Sequence, residues 1–226
     1  MINSSLTKTE IDTVINKYLS LTNEIILKLN DNVSKYQFGE IEFLKLKNSQ
    51  NSSINKIYLL HNLCKRYGTL PFANLARMAF IAIEFINSLV ELKIISEKEK
   101  THFLETNKSI SLQMNSILIK DKSKFLKRYG HLRPNTYEIS NPNYKNAFTN
   151  YFKNTKKKII KKKKFNFSKD QLQKINLLIK KNKFHNLNAT DLIKFIKSAI
   201  YERESSKLFF SKIINEIFEE LEILSN

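Results

Sequence analysis

Three short stretches of this chain carry side chains that could do chemistry. The first reads YGHLRPNTYEISNPN, Tyr129 to Asn143, and sets His131, Arg133, Thr136 and Tyr137 close together. The chain has only three glycines and three prolines, yet Gly130, Pro134 and Pro142 all stand in this segment. Gly130 admits unusual backbone angles, Pro134 stiffens the chain just after Arg133, and Asn141 before Pro142 marks a turn. Such a loop can aim a guanidinium at an anion and an imidazole or phenol at a hydroxyl. The residues leave a second reading open, a structural plug in which His131 and Arg133 only satisfy loop carbonyls and helix C-termini. The second stretch is RESSK, where Arg203, Glu204 and Lys207 sit beside Ser206. Arg203 and Ser206 interrupt an otherwise apolar helical stripe, and a buried charge needs a partner. Either a ligand meets it, or the stripe rotates locally and Arg203 pairs with a carboxylate at the core edge. The third feature is Arg77, which shares a polar helix edge with Asn74, Glu84 and Ser88.

Other chemistries find little support. The three glycines are isolated from one another, so there is no glycine-rich phosphate loop. His61, His102, His131 and His185 lack metal-ligand spacing, so no metal site is assigned and no hydrolase triad is readable. His61 and His102 fall in helical patterns as ordinary surface or core-edge residues. Cys64 is the single cysteine, which rules out an intramolecular disulfide. The formal net charge of +18 over 226 residues invites nucleic acid. The abundance of Lys, Asn and Ile equally fits an AT-rich coding bias, under which charge speaks of solubility rather than task. The run KKKIIKKKK, Lys156 to Lys164, has no interleaved aromatics to stack bases and reads as a solvated basic loop within 150–167.

These side chains must be positioned by helices, because helical periodicity dominates the chain. Ile11, Val14, Ile15, Tyr18, Leu21, Ile25 and Leu29 make one stripe. Ser52 and Ser53 are cap candidates for a second helix facing inward through Ile54, Ile57, Leu60 and Cys64, with Gly68 as a left-handed stop. Thr69 and Pro71 then begin a third, with Leu75, Met78, Ala79, Ala82, Phe85, Ile86 and Leu89 as its buried stripe. Ser96 with Glu99 has capping-box spacing for a helix to about Leu118, and Ser168 with Gln171 repeats it. The last helix is long, from about Thr190 to Leu224. GEIEFLKL, Gly39 to Leu46, fits either one short strand or a helical turn. The expected fold is all-α: a single multi-helix domain over 1–226, with irregular loops at about 30–51 and 130–165. No apolar stretch approaches the roughly 18 residues that span a bilayer, and no secretory signal is evident. A soluble, cytoplasmic protein is expected.

At YGHLRPNTYE and at GTLPFANLARMAFIAIEFINSLVELKIIS (Gly68 to Ser96), the chain resembles the central helical region of phosphoenolpyruvate-synthase-like proteins. That group includes pyruvate phosphate dikinase and rifampicin phosphotransferase. A third match, AIYERESSKLFFSKI from Ala199 to Ile213, is similar to the family's AI-x-x-RE-x-x-K-x-x-F pattern. Asn135 stands where the family loop has glycine, and Glu138 where it has aspartate. Asparagine tolerates a positive φ best among non-glycine residues, so the loop shape is expected to survive.

The resemblance implies a central domain that binds a small-molecule acceptor or scaffolds other domains. In the family, an ATP-grasp domain uses ATP and Mg²⁺ to phosphorylate a histidine on a swivelling domain. This chain has no counterpart of either region, and His131 does not match the phosphorylated histidine. ATP and Mg²⁺ are therefore implied only through partner chains that carry the ATP-grasp and phosphohistidine domains. Arg77, His131, Arg133, Tyr137, Arg203, Glu204 and Lys207 are the expected polar pocket, with no catalytic residue assigned. The arginines and Lys207 would neutralise phosphate or carboxylate, and His131 or Tyr137 would orient an acceptor hydroxyl. The alternatives are a basic helical nucleic-acid-binding protein and a degenerate, non-catalytic remnant.

Overall fold

The computed structural model describes residues 7–153, 164–184 and 187–225, and among them the regular structure is helical throughout. The elements are α1 (Lys8–Leu27), α2 (Leu29–Lys47), α3 (Ser53–Leu63), a π-helical turn (Cys64–Thr69) and α4 (Leu70–Glu91). They continue with α5 (Glu97–Thr106), α6 (Ile110–Lys120), α7 (Lys122–Tyr129), α8 (Phe148–Phe152), α9 (Lys169–Lys181) and α10 (Ala189–Ser225). The all-α expectation and the long last helix are as observed. Most of the basic run, 156–163, lies outside the described residues, as does His185.

The main core forms where α4 lies against α10. Leu75, Met78, Ala82 and Ile86 of α4 are buried with Ile196, Ala199, Phe209 and Ile213 of α10 in one cluster. Each large apolar side chain so buried contributes roughly 1.5–3 kcal/mol. A second cluster packs Phe125 and Tyr129 of α7 with Ile110 of α6, and Tyr144, Phe148 and Phe152 lean on it. Phe125 alone has rings of Tyr129, Tyr144, Phe148 and Phe152 within 5.2–6.4 Å. This aromatic cluster anchors both ends of the loop after α7.

Several boundaries differ from the sequence expectation. Gly68 does not stop a helix: α3, the π turn and α4 run as one continuous helix, Ser53–Glu91, and no glycine has a positive φ. The wider π register just before Pro71 accommodates a residue that has no amide to donate. Gly68 is instead a contact point, since a Cβ there would meet Ile213 Cδ1 at 3.2 Å. The most apolar 18-residue stretch of this continuous helix has mean hydropathy 1.4, with 33% of it buried in the structure. By length and composition it is the one helix among the described residues able to cross a bilayer, which corrects the expectation that none comes close.

GEIEFLKL is neither strand nor isolated turn but the second half of α2, so the loop expected at 30–51 is mostly helix. The helix expected from Ser96 to Leu118 breaks at Asn107 into α5 and α6. Both capping boxes form as expected, Ser96 with Glu99 and Ser168 with Gln171. Gln171 also donates to Glu99 at 3.0 Å, tying the two boxes together. The stripe on α1 does not face the core: Ile11, Val14, Ile15, Tyr18 and Leu21 are exposed.

Candidate functional site

A cleft of about 590 Å³ opens between α2, the end of α7 and the second half of α10. That volume suits a small organic molecule. On α2, Glu40, Phe43, Leu44 and Lys47 line it; their i, i+3, i+4, i+7 spacing makes them one helical face. On α10, Phe209, Lys212, Asn215, Glu216 and Glu219 do the same. Gly39 brings α2 close to its neighbours: a Cβ there would lie 2.4 Å from Tyr67 Cβ. Polar ties then set the gap between α2 and α10. Tyr36 donates to Glu202, Lys47 pairs with Glu216, and Lys212 lies 3.7 Å from Glu40.

The loop from Gly130 to Lys145 forms the remaining wall, with Gly130, His131, Asn143 and Lys145 reaching the cleft. Its shape is held locally. Tyr144 N donates to Leu132 O at 2.7 Å and Lys145 N to Gly130 O at 2.9 Å, closing the loop at its base. Gly130 itself sits at ordinary right-handed angles (φ −60°, ψ −26°). The left-handed residue is Asn135, at φ 53°, which is the conformation asparagine was expected to supply. Asn141 Nδ2 donates to Pro134 O at 3.1 Å, and Ser140 Oγ to Glu138 Oε1 at 2.8 Å.

Beneath this wall lies a buried polar network. Arg133 is 7% exposed; it donates to Ile139 O at 3.2 Å and to Asn215 Oδ1 at 2.7 Å. Its guanidinium also lies 4.9 Å from the centre of the Phe218 ring. Asn143 Nδ2 donates to the same Asn215 oxygen at 3.1 Å. Both amides reach Glu219 Oε1, from Asn215 at 2.9 Å and from Asn143 at 3.3 Å. Among the described residues no bond is made to the second oxygen of Glu219. His131 is held neutral: burial, with the Lys212 and Lys47 charges nearby, pulls its pKa down to about 3 against a counteracting bond to the Leu208 carbonyl. Its Nε2 is 3.3 Å from Ser211 Oγ. Ser211 is not an activated nucleophile, because its hydroxyl donates to Leu208 O at 2.8 Å.

Of the seven expected pocket residues, only His131 lines this cleft. Arg133 acts from behind it, through Asn215. Tyr137 is 68% exposed and leans edge-on against Phe210 at 6.0 Å. Arg77 is exposed on α4, and its nearest polar partner is Asn74 at 3.4 Å. Glu204 accepts the first amide of α6, Ile110 N, at 2.7 Å, so its carboxylate caps a helix. Lys207 is exposed, and Arg203 is half-buried with no ion pair among the described residues. Arg203 lies twelve residues before Asn215, about 18 Å along the helix axis. One shared cleft for Arg77, the loop and Arg203–Lys207 is therefore not what forms.

The residues that sequence reading missed are Asn143, Asn215, Glu219, Lys127 and Lys145. A signal existed for two of them: Asn215 and Glu219 form an i, i+4 polar pair on α10 in register with Lys212 and Glu216. Among the described residues no group of three or more His, Cys, Asp or Glu could hold a metal ion. Comparisons with protein-family models, with curated proteins and with solved structures find no match to this chain.

Proposed function

We propose that this chain is an acceptor-binding helical domain of a phosphoenolpyruvate-synthase-like phosphotransferase. The observation that carries the proposal is the wall built by the loop YGHLRPNTYEISNPN: a neutral His131 and the Asn143–Asn215–Glu219 network border a cleft of small-molecule size. A neutral imidazole, a carboxylate oxygen and primary amides are the groups that orient a hydroxyl. The chain supplies binding, orientation and exclusion of water. Phosphoryl transfer itself, with ATP and Mg²⁺, belongs to ATP-grasp and phosphohistidine domains on partner chains, working in the cytoplasm.

The test has two parts. A fragment screen by NMR, read at the side-chain amides of Asn143 and Asn215, is expected to find small hydroxylated molecules in the cleft, and a Leu44→Trp variant to exclude them. Purified chain alone is expected to show no ATP-dependent phosphoryl transfer; activity without added chains would overturn the division of labour. The nucleic-acid alternative predicts salt-dependent duplex binding that disappears on deleting 156–164. A polar cleft with a buried supporting network weighs against a purely structural remnant.

A further inference from the structure

The cleft does not end at its mouth. Leu126 and Lys145 line both it and a second cavity of about 280 Å³, walled further by Lys122, Asn146, Phe148 and Thr149. Charge is distributed unevenly along this joined space. At the α2–α10 end the cations are compensated, Lys47 by Glu216 and Lys212 by Glu40. Around the junction, Lys127 lines the first cavity, Lys122 the second and Lys145 both; all three are exposed and form no ion pair among the described residues. Lys122 instead rests its ammonium 4.5 Å from the centre of the Phe148 ring, which holds the charge in place without neutralising it.

We propose that the joined cavities take a hydroxylated organic phosphate, such as a sugar phosphate, with its phosphate at Lys145, between Lys127 of one cavity and Lys122 of the other, and its hydroxyls in the deeper cleft. Three uncompensated ammonium groups match a phosphomonoester, which carries close to two negative charges at neutral pH. The deep end has no spare cation and does have acceptors and neutral donors: the second Glu219 oxygen, His131 and the Asn215 amide hydrogen that its bond to Glu219 leaves over. An anion placed there would face Glu216 and Glu219, so the two ends of the ligand are not interchangeable. This inference rests on the cleft being an acceptor site, and it adds the chemical class of the acceptor and the direction in which it lies. The phosphate is the handle, and a hydroxyl at the far end is the group presented for reaction.

The experiment is calorimetric titration of the full chain with glucose 6-phosphate, glucose and inorganic phosphate, at fixed low ionic strength. Glucose 6-phosphate is expected to bind at least about tenfold more tightly than either of the others, since charge-assisted bonds of this kind are each worth a tenfold factor or more. The double variant Lys127→Glu/Lys145→Glu should lose that advantage while its melting temperature stays unchanged. Lys17→Glu/Lys35→Glu, at exposed lysines of α1 and α2 that line neither cavity, is the control for general attraction to a +18 chain. Equal affinity for glucose and glucose 6-phosphate, no binding of glucose 6-phosphate, or an equal loss in the control pair would each overturn the proposal. If glucose 6-phosphate fails but fragments still occupy the cleft, only the phosphate handle falls. If nothing enters the cleft, the acceptor reading falls with it.

Discussion

Two arginines stand out in the sequence, Arg133 in a loop shaped by glycine and prolines and Arg203 as a break in an apolar stripe, and the structure treats them differently. Arg133 sits in a closed loop whose base is pinned by two backbone bonds, and its guanidinium meets three partners: a loop carbonyl, an asparagine oxygen and an aromatic face. Arg203 sits within α10 with no carboxylate partner among the described residues, beside Ser206, whose hydroxyl bonds back to the Arg203 carbonyl. A charged residue singled out in the sequence therefore marks a site only where a second segment converges on it. At Arg133 that segment is the Asn215–Glu219 turn of α10. At 203–207 the converging segment is the start of α6, and it takes the carboxylate of Glu204 rather than the arginine.

The difference can be broken first at Arg133 itself. Arg133→Leu is expected to cost about 2–4 kcal/mol in urea unfolding, because it strips a buried charge from its hydrogen-bonded partners and loosens Asn215. A loss as small as that of a surface change would mean the network does not hold the cleft wall. Next comes the opposite wall: Gly39→Ala should cost about 1–3 kcal/mol, since the added methyl meets Tyr67 and pushes α2 outward. Fragment occupancy of the cleft should weaken with it.

The third test uses pH. His131 folds with a pKa near 3 against an ordinary 6.5, so between those values the unfolded chain binds a proton that the folded chain does not. Stability from this group is complete above pH 6.5 and falls as pH drops below it, by no more than about 2 kcal/mol at pH 5. In His131→Gln that part of the acid sensitivity should vanish, and an unchanged profile would show the imidazole to be solvated. The smallest effects belong to the other region. Glu204→Ala should cost about 1 kcal/mol through the lost cap on α6. Arg203→Leu should fall within about 0.5 kcal/mol of the parent. A larger cost at Arg203 would restore it as a functional position and erase the contrast.

The fold class, both capping boxes and the long last helix were legible because each leaves a local signature: a 3.6-residue period, or a Ser three residues before Glu or Gln. The buried face of α2 was not, although its spacing is regular. Leu29, Asn32, Tyr36, Gly39 and Phe43 recur every three or four residues and are all buried. Two of the five, Asn32 and Gly39, are not counted as apolar, so the stripe is weak in a hydrophobicity scan. Asn32 is buried because it accepts from Asn74 at 2.9 Å, and Gly39 because Tyr67 needs the room. Both facts are tertiary. The same holds for the cleft. The loop announced itself through its glycine and prolines, but its partners on α2 and α10 are far away in sequence, and nothing local selects them over Arg77 or Arg203. The stripe on α1 taught the reverse lesson, since perfect periodicity did not mean burial.

That first helix has a kinetic consequence. No residue of α1 is buried, whereas α10 carries thirteen buried residues through the middle of the main cluster. Amide protons in α1 can therefore exchange with solvent through fraying of that one segment, on a free-energy scale of its own. Those at the centre of α10 must wait for the whole chain to unfold. Deuterium uptake should separate the molecule into a fast N-terminal helix and a slow body, with the boundary falling near Lys28.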